Sequence, residues 1–140
     1  MKSFVKKCVL FATVISCLLF FGCAPSLESE VKALQSELPM YIGDGMTIKN
    51  CFLKGNMLEY VYEVDETDYS IDDEFVQSLL KETMAETKMD FLSDNDVVEL
   101  LRLCKKEYKG VRFTMVGAKS RASFVFMEFS PVELKQFSWL

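Results

Sequence analysis

Apolar and polar positions follow three rhythms along the chain. From Cys8 to Phe21 no charge interrupts the run, and Lys2, Lys6 and Lys7 stand just before it. From Leu27 the apolar residues recur at helical spacing. Leu27, Val31, Leu34 and Leu38 share one face that ends before Pro39, with Ser26 placed to cap the first turn. Period two then takes over. Met46–Lys54 and Met57–Asp65 read as strands joined at Gly55-Asn56; in the second, Leu58, Tyr60, Tyr62 and Val64 alternate with Glu59, Val61, Glu63 and Asp65. Helical spacing returns twice. Ser70 with Asp73 is a cap pattern ahead of Phe75, Val76, Leu79, Leu80 and Met84. Ser93 with Asp96 opens a further helix whose face is Val97, Val98, Leu101, Cys104 and Tyr108, with Gly110 as its stop. Val111–Ala118 and Ala122–Phe129 form a second hairpin around Lys119-Ser120. Its second strand puts Phe124 and Phe126 on one face, and Val125, Met127 and Phe129 on the other. Ser130-Pro131-Val132-Glu133 then gives a cap, a proline at the first helical position and a capping-box glutamate, opening a short helix to about Phe137.

The order is therefore α-β-β-α-α-β-β-α. Two hairpins imply an antiparallel sheet, and amphipathic helices need a face to cover. The expected fold is α+β: two layers, with an antiparallel sheet of about four strands packed with amphipathic helices. A parallel α/β fold needs repeated strand–helix–strand alternation, which this order contains once.

The leading apolar run is short for a bilayer span, which takes about 20 residues. A basic segment followed by such a run has the layout of a signal peptide. Its end, Leu19-Phe20-Phe21-Gly22-Cys23, resembles the lipobox of bacterial lipoproteins, with Phe20 and Phe21 where that family usually carries leucine and a small residue. The resemblance implies cleavage between Gly22 and Cys23, a diacylglycerol on the Cys23 thiol and acylation of the freed amine. Val14-Ile15-Ser16-Cys17 fits the pattern better letter by letter. A cut there would shorten the apolar run and leave Leu18–Phe21 as a greasy head on the mature chain, so Cys23 is preferred. The expected organisation is a removed signal over residues 1–22, a lipidated cysteine and short tether over 23–26, and a single domain over 27–140 held close to a membrane. Ala24 stands where some two-membrane bacteria use aspartate for inner-membrane retention. In a bacterium with two membranes the resemblance thus implies the outer membrane, facing the periplasm.

Composition narrows the chemistry. The chain has 140 residues with 16 basic and 21 acidic side chains, a net charge of −5. Residues 1–22 hold three of the lysines and no acid, so the expected mature chain is more acidic still. Such a charge argues against nucleic acid, which draws basic patches. The chain has no histidine. That removes Ser-His-Asp and Cys-His catalysis and the commonest zinc and haem ligand. Cys51 and Cys104 are the two cysteines left beyond the signal and Cys23. They are not a CxxC pair, and in an exported chain they read either as a disulfide or as two buried free thiols. The densest carboxylate group is Glu63, Asp65, Glu66, Asp68, Asp72, Asp73 and Glu74. Oxygen donors of this kind suit calcium, but the loop glycine and terminal glutamate of an EF-hand are lacking, and Asp72–Glu74 sit where a helix N-terminus favours negative charge. Tyr60, Tyr62, Phe113, Phe124 and Phe126 read as core before ligand groove. Gly43-Asp44-Gly45 reads as a turn and not a phosphate loop. Lys105, Lys106, Lys109 and Arg112 cluster at a helix C-terminus, as the helix dipole favours.

Glu37–Glu66 is similar to a pattern in small exported bacterial proteins of unassigned function. In these a Leu-Pro segment, here Leu38-Pro39-Met40, leads through a strand and turn to a Tyr-x-Tyr strand, here Tyr60-Val61-Tyr62. The resemblance implies the same fold and exported address and carries no catalytic residue. The sequence thus points to a non-enzymatic envelope lipoprotein, anchored at Cys23, that binds or supports another envelope component without cofactor, metal or catalytic residues. A carboxylate-dependent envelope enzyme or calcium-binding module is the alternative; oligomeric state stays open.

Overall fold

A computed structural model of the chain describes residues 26–140. Gly22, Cys23 and the rival Cys17 lie outside the described residues. Helix α1 (Leu27–Gln35) starts as its capping chemistry dictates. The Ser26 hydroxyl accepts from the Ser29 amide at 3.2 Å, and the Ser29 hydroxyl closes the box on the Ser26 amide at 3.3 Å. Leu27, Val31 and Leu34 are buried against the sheet.

Strand β1 (Met40–Gly43) was not expected from the alternation of residues. It is only four residues long, too short for a period to register. The Gly43-Asp44-Gly45 turn, with φ of +95°, +53° and +74°, folds it back antiparallel on β2 (Met46–Lys54). β2 and β3 (Met57–Val64) form the expected hairpin, with Lys54 opposite Met57 across Gly55-Asn56. Helices α2 (Glu74–Phe91) and α3 (Asn95–Lys106) follow, then β4 (Gly110–Gly117), β5 (Ser123–Phe129) and α4 (Pro131–Gln136).

The sheet corrects the expectation of about four antiparallel strands. It has five, in the order β1-β2-β3-β4-β5, and is mixed, because β3 and β4 run parallel in register from Met57↔Gly110 to Val64↔Gly117. The single strand–helix–strand passage is the cause: α2 and α3 carry the chain back across the sheet, so the second hairpin enters in the direction of β3. Leu58, Tyr60 and Tyr62 of β3 stand opposite Val111, Phe113 and Met115 of β4 in the core, with Val64 beside Gly117.

The strand β5 also departs from simple alternation. Phe113 pairs with Met127 and Thr114 with Val125, so Phe126 is the extra residue of a bulge. Past the bulge the faces exchange: Met127 and Phe129 join Phe124 and Phe126 in the core, and Val125 alone of the expected second face stays out.

Three helix ends also differ in detail. Asp73, not Ser70, caps α2, accepting the Phe75 amide at 2.8 Å. Phe75 is 71 % exposed, while Leu80 is buried. Asp94, not Ser93, precedes α3, its carbonyl accepting from Val98 at 3.0 Å. At the far end the stop is Tyr108 and not Gly110. Tyr108 has φ +57°, and Lys109 and Tyr108 return amide bonds to Cys104 and Lys105, the paired bonds of a Schellman turn. Gly110 opens β4 instead. The α4 cap is as expected, with Ser130 accepting the Glu133 amide at 3.0 Å.

Candidate functional site

The candidates from sequence separate into structural roles. Tyr60 stacks on Phe113 at 5.1 Å, Phe113 meets Phe126 at 6.0 Å and Tyr62 meets Phe126 edge-on at 5.5 Å. These rings are buried core. Phe124 is buried beside them, with the Lys81 ammonium 5.9 Å from its ring.

The carboxylate group does not converge. Glu63 pairs outward with Lys49 and Arg121, Asp65 holds Thr67, and Asp73 caps α2. Among the described residues no group of three or more carboxylates and cysteines is arranged to hold a metal ion. Glu66 is the exception to the solvated pattern. Its Oε1 accepts from the amides of Lys119 and Ser120; its Oε2 accepts from the Ile71 amide and the Ser70 and Ser120 hydroxyls. The Ser120 amide leads in holding this carboxyl down at about 2, against the cost of burial. A Cβ on Gly117 would press against the Glu66 carboxylate, so glycine is required where it passes β4.

The basic cluster is dispersed in the same way. Lys105 donates to the Phe137 carbonyl at 2.7 Å, and Lys109 to Gly55 at 2.7 Å. Arg112 lies between Glu59 and Glu128 at 2.6 and 2.8 Å on the sheet face away from the core.

Cys51 of β2 and Cys104 of α3 are both free and buried. Burial pushes the Cys51 thiol up to about 12, and a hydrogen bond with Tyr60 opposes this. Burial likewise raises Cys104, with Glu30 and Glu107 adding to it.

The concave surface lies elsewhere. The second half of α2 and the C-terminal segment enclose a groove of about 660 Å³ lined by Ala85, Lys88, Met89, Leu92, Phe137 and Trp139, with Ser93 and Glu133 at its edge. Met89 is 71 % exposed and Trp139 49 % exposed. Phe137 and Trp139 rings pack at 5.6 Å. Lys88 ties the walls together: its ammonium meets Glu133 of α4 at 2.6 Å, the Glu128 carbonyl of β5 at 3.0 Å and the Phe129 ring at 4.5 Å. Lys105 fixes the tail from α3 through the Phe137 carbonyl.

Sequence reasoning passed over this surface. The available signal was Ala85, Met89 and Leu92, an apolar stripe at i, i+4 and i+7 on a different face of α2 from Leu80 and Met84. Trp139, the one tryptophan of the chain, stands one residue from its end.

No known protein family's profile matches the chain, and no curated protein is similar to it in sequence. In fold it is similar to the crystal structure of a candidate secreted protein from Pseudomonas aeruginosa, with a TM-score of 0.54, 14 % identity, and coverage of 78 % of this chain and 89 % of that one. Lower TM-scores, 0.49 and 0.44, are found for two type II secretion system pilotins. One is from Vibrio vulnificus (11 % identity, 76 % of this chain, 86 % of that one), the other from Vibrio cholerae (15 % identity, 75 % and 85 %). No described helix is long and apolar enough to cross a membrane.

Proposed function

We propose that the protein is a non-enzymatic lipoprotein of the cell envelope, anchored through Cys23, whose α2–α4 groove receives the apolar face of a helix from another envelope protein. The groove carries this reading. Among the described residues most large apolar side chains are buried, yet Met89, Leu92, Phe137 and Trp139 converge on one open concavity. Aromatic and methionine side chains of this kind are enriched where proteins bind one another. From Ala85 to Leu92 the α2 wall rises about 10 Å, two helical turns, which suits the i, i+3, i+4 anchors of a bound helix. Within the dense carboxylate group, Asp73 caps α2, Glu63 pairs with Lys49 and Glu66 pins the β4–β5 turn, which favours this reading over a carboxylate-dependent enzyme or calcium module.

A photocrosslinking residue at Met89 in intact cells tests the groove. The expected outcome is one discrete adduct, absent when the probe stands at Lys54 and lost on Leu92→Asp at unchanged thermal stability. Equal adducts at both positions, or none at Met89, refute the docking site. Intact mass of the membrane fraction tests the anchor separately. Wild type should carry acyl mass beginning at Cys23, and Cys23→Ser should lack it.

A further inference from the structure

Printed bonds tie four segments into one end of the domain. Glu107 Oε2, just past α3, accepts the amide of Leu27, the first residue of α1, at 2.8 Å. Lys109 donates to the Gly55 carbonyl of the β2–β3 turn at 2.7 Å, and the Gly110 amide to that of Asn56 at 2.8 Å. A Cβ on Gly110 would strike the Phe129 carbonyl and the Pro131 ring, so the first turn of α4 closes on the same end. Three large apolar side chains stay exposed here: Tyr108 at 80 %, Val132 at 68 % and Leu53 at 36 %. Beside them Lys54 and Lys106 are exposed and Lys109 is half-buried. No carboxylate among the described residues forms an ion pair with these lysines. The acids that border this end are engaged: Glu107 by Leu27, Glu28 by Lys32, Glu59 by Arg112 and Glu133 by Lys88. In a chain of net charge −5, this end is locally basic.

The remainder of the chain enters at this end. Residues 1–25, which include the uncharged apolar run Cys8–Phe21, join the described domain at Ser26. From Cys23 to Leu27 an extended backbone spans at most about 14 Å. With the lipid on Cys23, the reading on which this inference rests, the start of α1 stays within that distance of a bilayer surface. Phe75, also apolar and 71 % exposed, belongs to the opposite end. It follows the 65–73 segment that leaves β3 at Val64, and the eight residues of β3 span roughly 23 Å. We propose that the end bearing Tyr108 and Val132 is a membrane-facing surface for anionic lipid. Its lysines rest among the headgroups, while Tyr108, Val132 and Leu53 enter the interfacial layer. Tyrosine suits that layer because its ring meets an apolar phase and its hydroxyl a wet one. Each lysine close to an anionic surface strengthens the contact about fivefold, an effect that salt screens. The anchor and this patch together fix which way the domain stands, with the Phe75 end pointing away from the bilayer.

Val132→Cys and Phe75→Cys, each carrying a nitrobenzoxadiazole label on the new thiol, test this on the full chain purified from membranes; Cys51 and Cys104 are buried. The chain is placed on phosphatidylcholine vesicles with or without phosphatidylglycerol. A nitroxide on the lipid headgroups should quench the label at 132 severalfold more than the label at 75. This excess should appear only with phosphatidylglycerol present and decline as salt is added. Lys54→Gln combined with Lys106→Gln should weaken the contact by roughly tenfold or more and leave flotation of the chain with the vesicles unchanged. Equal quenching at the two positions, or quenching that neither phosphatidylglycerol nor the two lysines alter, overturns the membrane-facing surface while the anchor stands. A chain that has no acyl mass and stays in solution overturns the anchor, and the orientation with it.

Discussion

Glu66 and Ser120 meet twice: the Ser120 amide donates to Oε1 at 2.7 Å and its hydroxyl to Oε2 at 2.9 Å. With Lys119, Ile71 and Ser70 also donating to it, one carboxylate joins the segment leaving β3 to the β4–β5 turn. These bonds favour the ionised form, so the contact holds fully above the ordinary carboxyl value of 4.5 and weakens as pH falls toward about 2.

Glu66→Gln should therefore lower the urea midpoint at pH 6, because its amide NH2 replaces an acceptor facing the Ile71 amide or the Lys119 and Ser120 amides. The gap between wild type and variant should narrow from pH 4.5 to 2 as wild type loses its charge. A gap that stays constant through that window would contradict the role of the ionised carboxylate. Gly117→Ala, which pushes the carboxylate away, should resemble Glu66→Gln in this acid profile.

Tyr108 holds a left-handed backbone at φ +57° while its side chain is 80 % exposed. It therefore bears the strain of the turn with little packing in return. Tyr108→Gly should stabilise the domain by about 0.5–1 kcal/mol, the relief of the left-handed penalty less the added freedom of glycine in the unfolded chain. Paired denaturation curves measure it. A net loss of stability would show that the ring contributes more than its exposure indicates.

Burial keeps the thiols of Cys51 and Cys104 protonated at neutral pH. Because the thiolate is the reactive form, neither should be alkylated by iodoacetamide in the native protein at pH 8 within the time that labels a free cysteine peptide. Both should label in denaturant without reductant, read by peptide mass spectrometry. Labelling that needs prior reduction would identify a Cys51–Cys104 bridge instead.

The legible parts of this fold are those written in a few neighbouring residues. Ser26, Ser130 with Pro131, and Gly55-Asn56 each fix a helix start or a turn through contacts within four positions, and each stands where the sequence puts it. The parallel register of Met57 with Gly110 is different in kind. Nothing local to either residue encodes it; it follows from how α2 and α3 route the chain. The Phe126 bulge is likewise invisible to a period-two count, since one extra residue exchanges the faces beyond it. The groove was hidden for a related reason. Its walls come from Ala85–Ser93 and Glu133–Trp139, segments far apart in the chain that Lys88 and Lys105 tie into place together with the packing of Leu134 and Phe137 on the core. Tyr108 occupied an i+4 position after Cys104, yet the helix had already ended.

The seam between β3 and β4 also sets an order in time. All of residues 65–109 must be made after β3 before its partner exists. At about 5–20 residues per second, adding residues 65–117 takes roughly 3–10 s, during which the first hairpin has a bare, apolar edge. Until β4 arrives, the nascent chain is a half-sheet open to pairing with any other strand. A holding chaperone that binds Met57–Val64 in that interval would protect the chain at its most exposed moment.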